Sequence, residues 1–201
     1  MTPKPDTKQK ILEAAAQLFS EAGYDGTSIR DIAKVAEVNI AAINYHFENK
    51  ENLYHKVISS CHEQFYLMIE AIHSEKDWST VDFAEQLFHT ICEGGSVFVA
   101  NFKMFLSEKS YQKIEIPHNE KVGPPGGELL LECISREVSK NVSEEDKLWA
   151  VRTIFSQVAY FALLVNTSYA KREAVKDFIN EEYMADYIRR TTDVLLKSLR
   201  N

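Results

Sequence analysis

The side chains best suited to chemistry are gathered in one stretch, residues 28–50, with the sequence SIRDIAKVAEVNIAAINYHFENK. It supplies hydroxyls, amides and two ammonium groups, which form hydrogen bonds with phosphates and with the edges of bases. The sequence contains no GxSxG motif, P-loop or Rossmann fingerprint, and no triad spacing in a suitable context. These residues therefore favour recognition over bond making.

Local signals place these side chains on short helices. Ser28 and Asp31 have the spacing of a capping box, in which each side chain bonds to the backbone N–H of the other. Asn39 is a favourable N-cap for the next helix, and Asn49 for the one after it. Two short helices at a sharp turn, the second carrying small and polar residues, are typical of a DNA-reading helix-turn-helix.

The rest of the chain also reads as helical, and we predict an all-α fold. Gly and Pro are scarce, and the alternation expected of strands is missing. We expect an N-terminal three-helix domain over residues 5–65, with its helix-turn-helix motif at 28–47, and a larger C-terminal helical domain over 66–201. Helices are predicted at about 7–22, 28–36, 39–47, 49–73, 80–93, 96–107, 128–140, 143–170 and 181–199, with a loop at 108–127.

The charge of the chain does not by itself indicate a nucleic-acid partner. The net charge is −7, which argues against a general binder of polyanions. The first 57 residues contain seven basic and eight acidic side chains, so the part of the chain with the helix-turn-helix motif is not basic either. DNA binding has to be inferred from the motif.

Other simple features favour a cytoplasmic protein without a membrane segment. No apolar run approaches about 18 residues, and the N-terminus lacks the apolar core of a signal peptide. The three cysteines, Cys61, Cys92 and Cys133, are far apart and fit reduced thiols. His55, Cys61 and His62 suggest a metal site only weakly. His55 and His62 share a helix face, but two turns separate them and no carboxylate or third ligand converges on the pair. We predict no metal, no cofactor and no catalytic residue.

The N-terminal sequence KILEAAAQLFSEAGYDGTSIRDIAKVAEVNIAAINYHFENKENLY resembles the DNA-binding domain of the TetR family of bacterial repressors. The resemblance covers about a quarter of the chain, and its helical remainder is consistent with the family's ligand-binding and dimerisation domain. The positions that carry it are Gly23–Tyr24, Thr27–Ser28, Ile32–Ala33, Tyr45–His46–Phe47 and Lys50–Glu51.

The resemblance implies a recognition helix from Asn39 to about Tyr45 that lies in the major groove. Ala41, Ala42 and Asn44 would approach base edges, with Asn44 suited to adenine and the apolar side chains, Ile40 included, to thymine methyls. The residues expected to hold phosphates are Thr27, Ser28, Arg30, Tyr45 and Lys50.

Two acidic residues depart from the family pattern. Glu37 stands in the turn, where the family usually has glycine, and a left-handed conformation there would cost a non-glycine residue about 1 kcal/mol. Glu48 stands where a basic residue is common. Both acids are expected to lower DNA affinity without changing the fold.

The C-terminal half offers a ligand pocket and a dimer interface. The resemblance implies a small-molecule effector, apolar or aromatic in character, although aromatic stripes of this kind also form ordinary cores. The helices at about 144–170 and 181–200 favour a four-helix arrangement with a second subunit. The candidate pocket residues are Phe98, Phe102, Phe105, Tyr111, Trp149, Phe155 and Tyr160.

The function expected from these observations is a homodimeric repressor, released from a palindromic DNA operator by its effector. A different class remains open at this point: an all-α enzyme or small-molecule carrier without DNA binding. An activator or a constitutive repressor would have the same sequence features.

Overall fold

The computed structural model describes residues 6–105 and 125–200, and in these ranges it contains eight helices and no strand. The predicted all-α fold is confirmed. The helices are α1 (Thr7–Gly26), α2 (Ile29–Val35), α3 (Ile40–Phe47), α4 (Lys50–Ser74), α5 (Thr80–Phe105), α6 (Gly127–Glu137), α7 (Glu144–Val165) and α8 (Glu181–Arg200).

The described residues form two compact units. The first unit comprises residues 6–62 and 100–105, and the second comprises residues 63–99 and 125–200. Both α4 and α5 therefore contribute to each unit. Residues 100–105 belong to the first unit because Met104 lies in its core, an arrangement that a single boundary after residue 65 does not anticipate.

The core of the first unit forms where α1 to α4 meet. The buried side chains there include Phe19, Ile32, Ile43 and Phe47. Tyr54 on α4 joins them, and its hydroxyl donates a hydrogen bond to the backbone oxygen of Met104 over 3.4 Å. This core fixes the orientation of the short helices α2 and α3.

Glycines interrupt the helical backbone where the sequence predicts breaks. Gly23, inside α1, has φ 72° and ψ 176°, and Gly95, inside α5, has φ 48° and ψ −125°. Both conformations are easy for glycine and unfavourable for other residues. The predicted helix at 143–170 ends earlier than expected, at Val165, and turns follow it. The predicted loop at 108–127 lies almost entirely outside the described residues.

The second unit is built around α7. Its buried residues pack against α6 and α8, and they include Val151, Ile154, Phe155 and Val158. By length and composition α7 could also cross a membrane, with a mean hydropathy of 1.5, as the core helices of soluble proteins often could. One side of α7 is buried in the core of the second unit, and the other side carries exposed apolar side chains.

A close approach of α6 to α4 depends on Gly126, the residue before α6. Gly126 has φ 78°, and a Cβ built there would lie 2.7 Å from Cγ2 of Ile69. Ile69 is fully buried in the core of the second unit. No side chain larger than hydrogen fits at position 126 without displacing Ile69.

Candidate nucleic-acid interface

The start of α2 is held by the predicted capping box. The backbone N–H of Asp31 donates to Oγ of Ser28 over 3.2 Å, and the backbone N–H of Ser28 donates to Oδ2 of Asp31 over 3.1 Å. The hydrogen bonds from the side chain and backbone of Ser28 lower the pKa of Asp31 below its ordinary value. The carboxylate form of Asp31 is thus part of the fold of the motif.

The lowered pKa makes the stability of the first unit depend on pH in acid. Because Asp31 has a lower pKa when folded, its contribution is present above the unfolded value of 3.8 and is lost as the pH falls through the folded value. We expect Asp31→Asn to flatten the fall in unfolding free energy in this acidic range. Ser28→Ala, which removes the cap, should cost about 1 kcal/mol at neutral pH. Denaturant titrations at a series of pH values measure the unfolding free energy of each variant. If the unfolding free energies of wild type and Asp31→Asn fall in parallel in acid, the prediction for Asp31 is wrong.

The turn between α2 and α3 contains a strained glutamate. Glu37 has φ 55°, and the following residue, Val38, donates its backbone N–H to the carbonyl oxygen of Ala33 over 3.0 Å. Glu48, which ends α3, has φ 67° and donates its N–H to the carbonyl oxygen of Asn44. A left-handed conformation costs Glu37 about 1 kcal/mol relative to glycine, and the positive φ of Glu48 is also unfavourable for a residue with a Cβ. Two exposed acids therefore flank α3, at positions where glycine would be easier.

Helix α3 is anchored on one face and open on the other. The side-chain oxygen of Asn39 accepts a hydrogen bond from the N–H of Ala42 over 2.7 Å, so Asn39 is the predicted N-cap. Ile43 and Phe47 are buried in the core of the first unit. The exposed residues of this cap and helix are Asn39, Ile40, Ala41, Asn44 and Tyr45, with Ala42 half-buried. Tyr45 is 84% exposed, and this face offers amide, hydroxyl and methyl groups together.

Two of the residues predicted to hold phosphates form hydrogen bonds mainly within the helix-turn-helix motif itself. Thr27 is only 4% exposed, and its hydroxyl faces the carbonyl oxygens of Leu18 and Gly23 over 3.0 and 2.9 Å. This geometry favours a structural role for Thr27 over the predicted phosphate contact. The Ser28 hydroxyl is directed at Asp31, although its residue is exposed. Arg30 and Tyr45, two further residues predicted to hold phosphates, are both exposed.

Lys50 begins α4 and has a neighbour that sequence reasoning missed. The side-chain oxygen of Asn49 accepts the N–H of Asn52 over 2.8 Å and caps the helix, as predicted. The Lys50 ammonium lies 4.1 Å from the centre of the Tyr24 ring. The two residues are far apart in sequence, so periodicity gives no signal for this contact.

The predicted pocket residues are not brought together as one set. Phe98 and Phe155 each contact Phe65, at ring-centre distances of 5.6 and 6.3 Å, within the second unit. Trp149 and Tyr160 instead lie on the surface of α7. Phe102 belongs to the first unit, while Tyr111 and the side chain of Phe105 lie outside the described residues.

Metal or nucleophile chemistry finds no support in the described ranges. No group of three His, Cys, Asp or Glu side chains there could hold a metal ion. Burial raises the pKa of Cys61 and of Cys133, and burial together with Glu181 raises the pKa of Cys92 to about 12. These thiols stay protonated at neutral pH and are poor nucleophiles.

Helices α7 and α8 carry several large apolar side chains that are exposed. Trp149 and Tyr160 on α7 are 52% and 60% exposed, and Val194 on α8 is 65% exposed. Tyr187 on α8 is also exposed and contacts Phe161 of α7 edge to face, at 5.2 Å. Large apolar side chains exposed together on paired helices are unusual for a monomer surface.

Comparison with known proteins decides the family. Residues 11–57 match the family model described as bacterial regulatory proteins, tetR family. The chain is 34% identical over 139 residues to IcaR of Staphylococcus aureus (strain Newman), named a biofilm operon icaADBC HTH-type negative transcriptional regulator. This match covers 68% of the chain and 70% of IcaR. The chain belongs to the TetR family.

Two further proteins are similar to the chain, one in sequence and one in fold. The "Probable HTH-type transcriptional regulator YttP" of Bacillus subtilis (strain 168) is 40% identical over 88 residues, 44% of the chain and 42% of YttP, so this match spans less than half of that relative. The crystal structure of AibR, in complex with isovaleryl coenzyme A and operator DNA, has the same fold, with TM-score 0.66 and 18% identity over 92% of the chain and 97% of AibR. IcaR and YttP are both named as transcriptional regulators, and the matching family model is that of bacterial regulatory proteins.

Proposed function

We propose that this TetR-family protein is a homodimeric repressor that binds a palindromic DNA operator and leaves it when a small molecule binds. The observation that carries the proposal is the exposed face of α3 between its capped start and its anchored end. In this proposal Ala41, Ala42 and Asn44 approach base edges, and Asn44 pairs with adenine. The flanking phosphates are held by Arg30, Tyr45 and Lys50, helped by the partial positive charge of the helix N-termini.

The proposed homodimer forms through the exposed face of α7 and α8. Trp149, Tyr160, Tyr187 and Val194 would be covered by the same face of a second copy, which gives a four-helix arrangement with two-fold symmetry. Two copies of α3 would then meet half-sites whose centres are one helical turn of DNA apart, or a multiple of that. A palindromic operator follows from this symmetry.

The proposed effector binds the second unit and is apolar or aromatic. Phe65, Phe98 and Phe155 form an aromatic cluster there, and the crystal structure of AibR contains isovaleryl coenzyme A together with operator DNA. IcaR is named a negative regulator, which favours repression. An effector shifts the protein off DNA only by binding the DNA-incompetent state more tightly than the other. The protein acts in the cytoplasm, where its DNA lies.

Selection of bound duplexes from a random DNA pool tests the proposal. We expect purified protein to enrich one palindromic sequence, and transcription in vitro from a promoter containing it to fall when protein is added. Recovery of no enriched sequence would contradict DNA reading. A rise in transcription would identify an activator instead. Candidate acyl thioesters, fatty acids and aromatic compounds can then be screened for release of the selected duplex.

Base reading and phosphate binding should respond differently to substitution. We expect Asn44→Ala to relax the preferred sequence at one position of each half-site, at a cost of about 1–3 kcal/mol on the selected duplex. Lys50→Ala should weaken binding to all duplexes alike and lower the salt slope by about 1 per subunit. Fluorescence anisotropy on selected and scrambled duplexes at several salt concentrations separates the two effects. If Asn44→Ala leaves the sequence preference unchanged, Asn44 does not read a base.

A further inference from the structure

The position of Lys50 is unusual for a lysine. It is the first residue of α4, where the partial positive charge of the helix disfavours a cation. Its residue is half-buried, and in the part of the chain that the structure describes, no carboxylate lies within ion-pair distance of its ammonium. The contact that holds the ammonium is the ring of Tyr24, at 4.1 Å from the ring centre.

The Tyr24 ring is itself fixed by the core of the first unit. It stacks on Phe19, with an interplanar angle of 17° and ring centres 6.1 Å apart. It also meets Tyr54 edge to face at 5.0 Å. Phe19 and Tyr54 are both buried, and the backbone enters Tyr24 from Gly23 in a conformation that favours glycine. Tyr24 therefore presents a rigid aromatic face.

A ring holds an ammonium differently from a carboxylate. The face of the ring attracts the cation through its quadrupole but leaves the positive charge in place. The ammonium has three N–H donors, and the ring covers one side, so donors remain for a phosphate oxygen. A flexible lysine would have to lose side-chain freedom on binding, whereas a lysine resting on a fixed ring has lost part of it already.

We propose that Tyr24 is a positioning residue, which holds the Lys50 ammonium ready for a DNA phosphate. The inference rests on the proposed function, because it requires Lys50 to bind DNA. Tyr24 then affects DNA binding through Lys50 and not by touching the duplex. A residue that only packs in the core would affect DNA affinity to the same extent with or without Lys50, whereas a positioning residue affects it only when Lys50 is present.

A double-mutant cycle on the duplex enriched by the wild-type protein tests this role. We expect Tyr24→Leu to weaken binding about two- to fivefold, and Tyr24→Phe, which keeps the ring, to bind as wild type does. In a Lys50→Ala background, Tyr24→Leu should have no further effect on affinity or salt slope. An equal loss in both backgrounds, or a loss with Tyr24→Phe equal to that with Tyr24→Leu, overturns the proposal.

Two further measurements distinguish a loss of the Tyr24 role from a loss of folding. Thermal unfolding of each variant shows whether the Tyr24→Leu protein is folded. If it is not, the ε-methylene protons of Lys50 in the full-length wild-type protein decide, because a ring beneath them shifts their NMR signals upfield; unshifted signals overturn the proposal. If the wild-type protein enriches no duplex, the proposed function fails and this inference with it. If it enriches a duplex and the cycle is additive, only the role of Tyr24 fails.

Discussion

Tyr160→Asp is expected to separate the proposed homodimer and to reduce operator affinity by at least about a hundredfold. A carboxylate at this exposed site of α7 is harmless in a monomer, but in a dimer it would be buried without a partner, at a cost of about 3–5 kcal/mol. Separated subunits also lose the gain from binding two half-sites at once. Light scattering after size exclusion measures the mass, which is 23.0 kDa for one chain, and anisotropy measures the affinity.

The control for this substitution is Leu67→Asp. Leu67 is exposed to a similar extent, but it lies on α4 and not on α7 or α8. The Leu67→Asp protein should keep the dimer mass and the operator affinity. A Tyr160→Asp protein that remains a dimer and binds the operator normally would show that another surface joins the subunits.

Gly126→Ala is expected to destabilise the second unit by about 2–4 kcal/mol. The added Cβ would lie 2.7 Å from Cγ2 and 2.8 Å from Cδ1 of Ile69, far inside normal contact distance. Ile69 cannot move away freely because it is buried in the core. The backbone at φ 78° adds further strain for any residue with a Cβ. Chemical denaturation followed by circular dichroism measures the loss.

Gly94→Ala is the matched control for Gly126→Ala. Its Cβ would lie 3.7 Å from Cβ of Phe98, an ordinary contact, and its φ is not in the left-handed region. We expect this variant to be neutral or more stable by up to about 1 kcal/mol, because alanine favours helix over glycine. Equal stability of the two variants would mean that α6 and α4 can separate without cost.

Features held by neighbours in sequence could be predicted from the sequence. The capping bonds of Ser28 and Asn39 join residues three apart, so residue type and spacing are sufficient to identify them. The breaks at Gly23 and Gly95 are predictable for the same reason, since they depend on the residue's own backbone freedom. The fold class followed from these local signals together with helical periodicity.

Features that depend on distant residues could not be predicted. The contact of Lys50 with Tyr24, and the place of Met104 in the first core, require the helices to be already assembled. Helical spacing also shows that aromatic residues share a face, but not what covers it. Trp149 and Tyr160 were therefore expected around a ligand, whereas they lie on an exposed face of α7.

Glu37 and Glu48, at the two ends of α3, bear on how the proposed repressor finds its site. Their charges repel phosphates on any duplex, whereas the proposed base contacts of Asn44 would be gained only at the operator. Affinity for arbitrary DNA comes almost entirely from phosphate charge, so these acids weaken it proportionally more. A genome offers on the order of a million or more competing sites. A protein that leaves each of them quickly spends less time on each wrong site, so it reaches its operator sooner in a search along the chromosome.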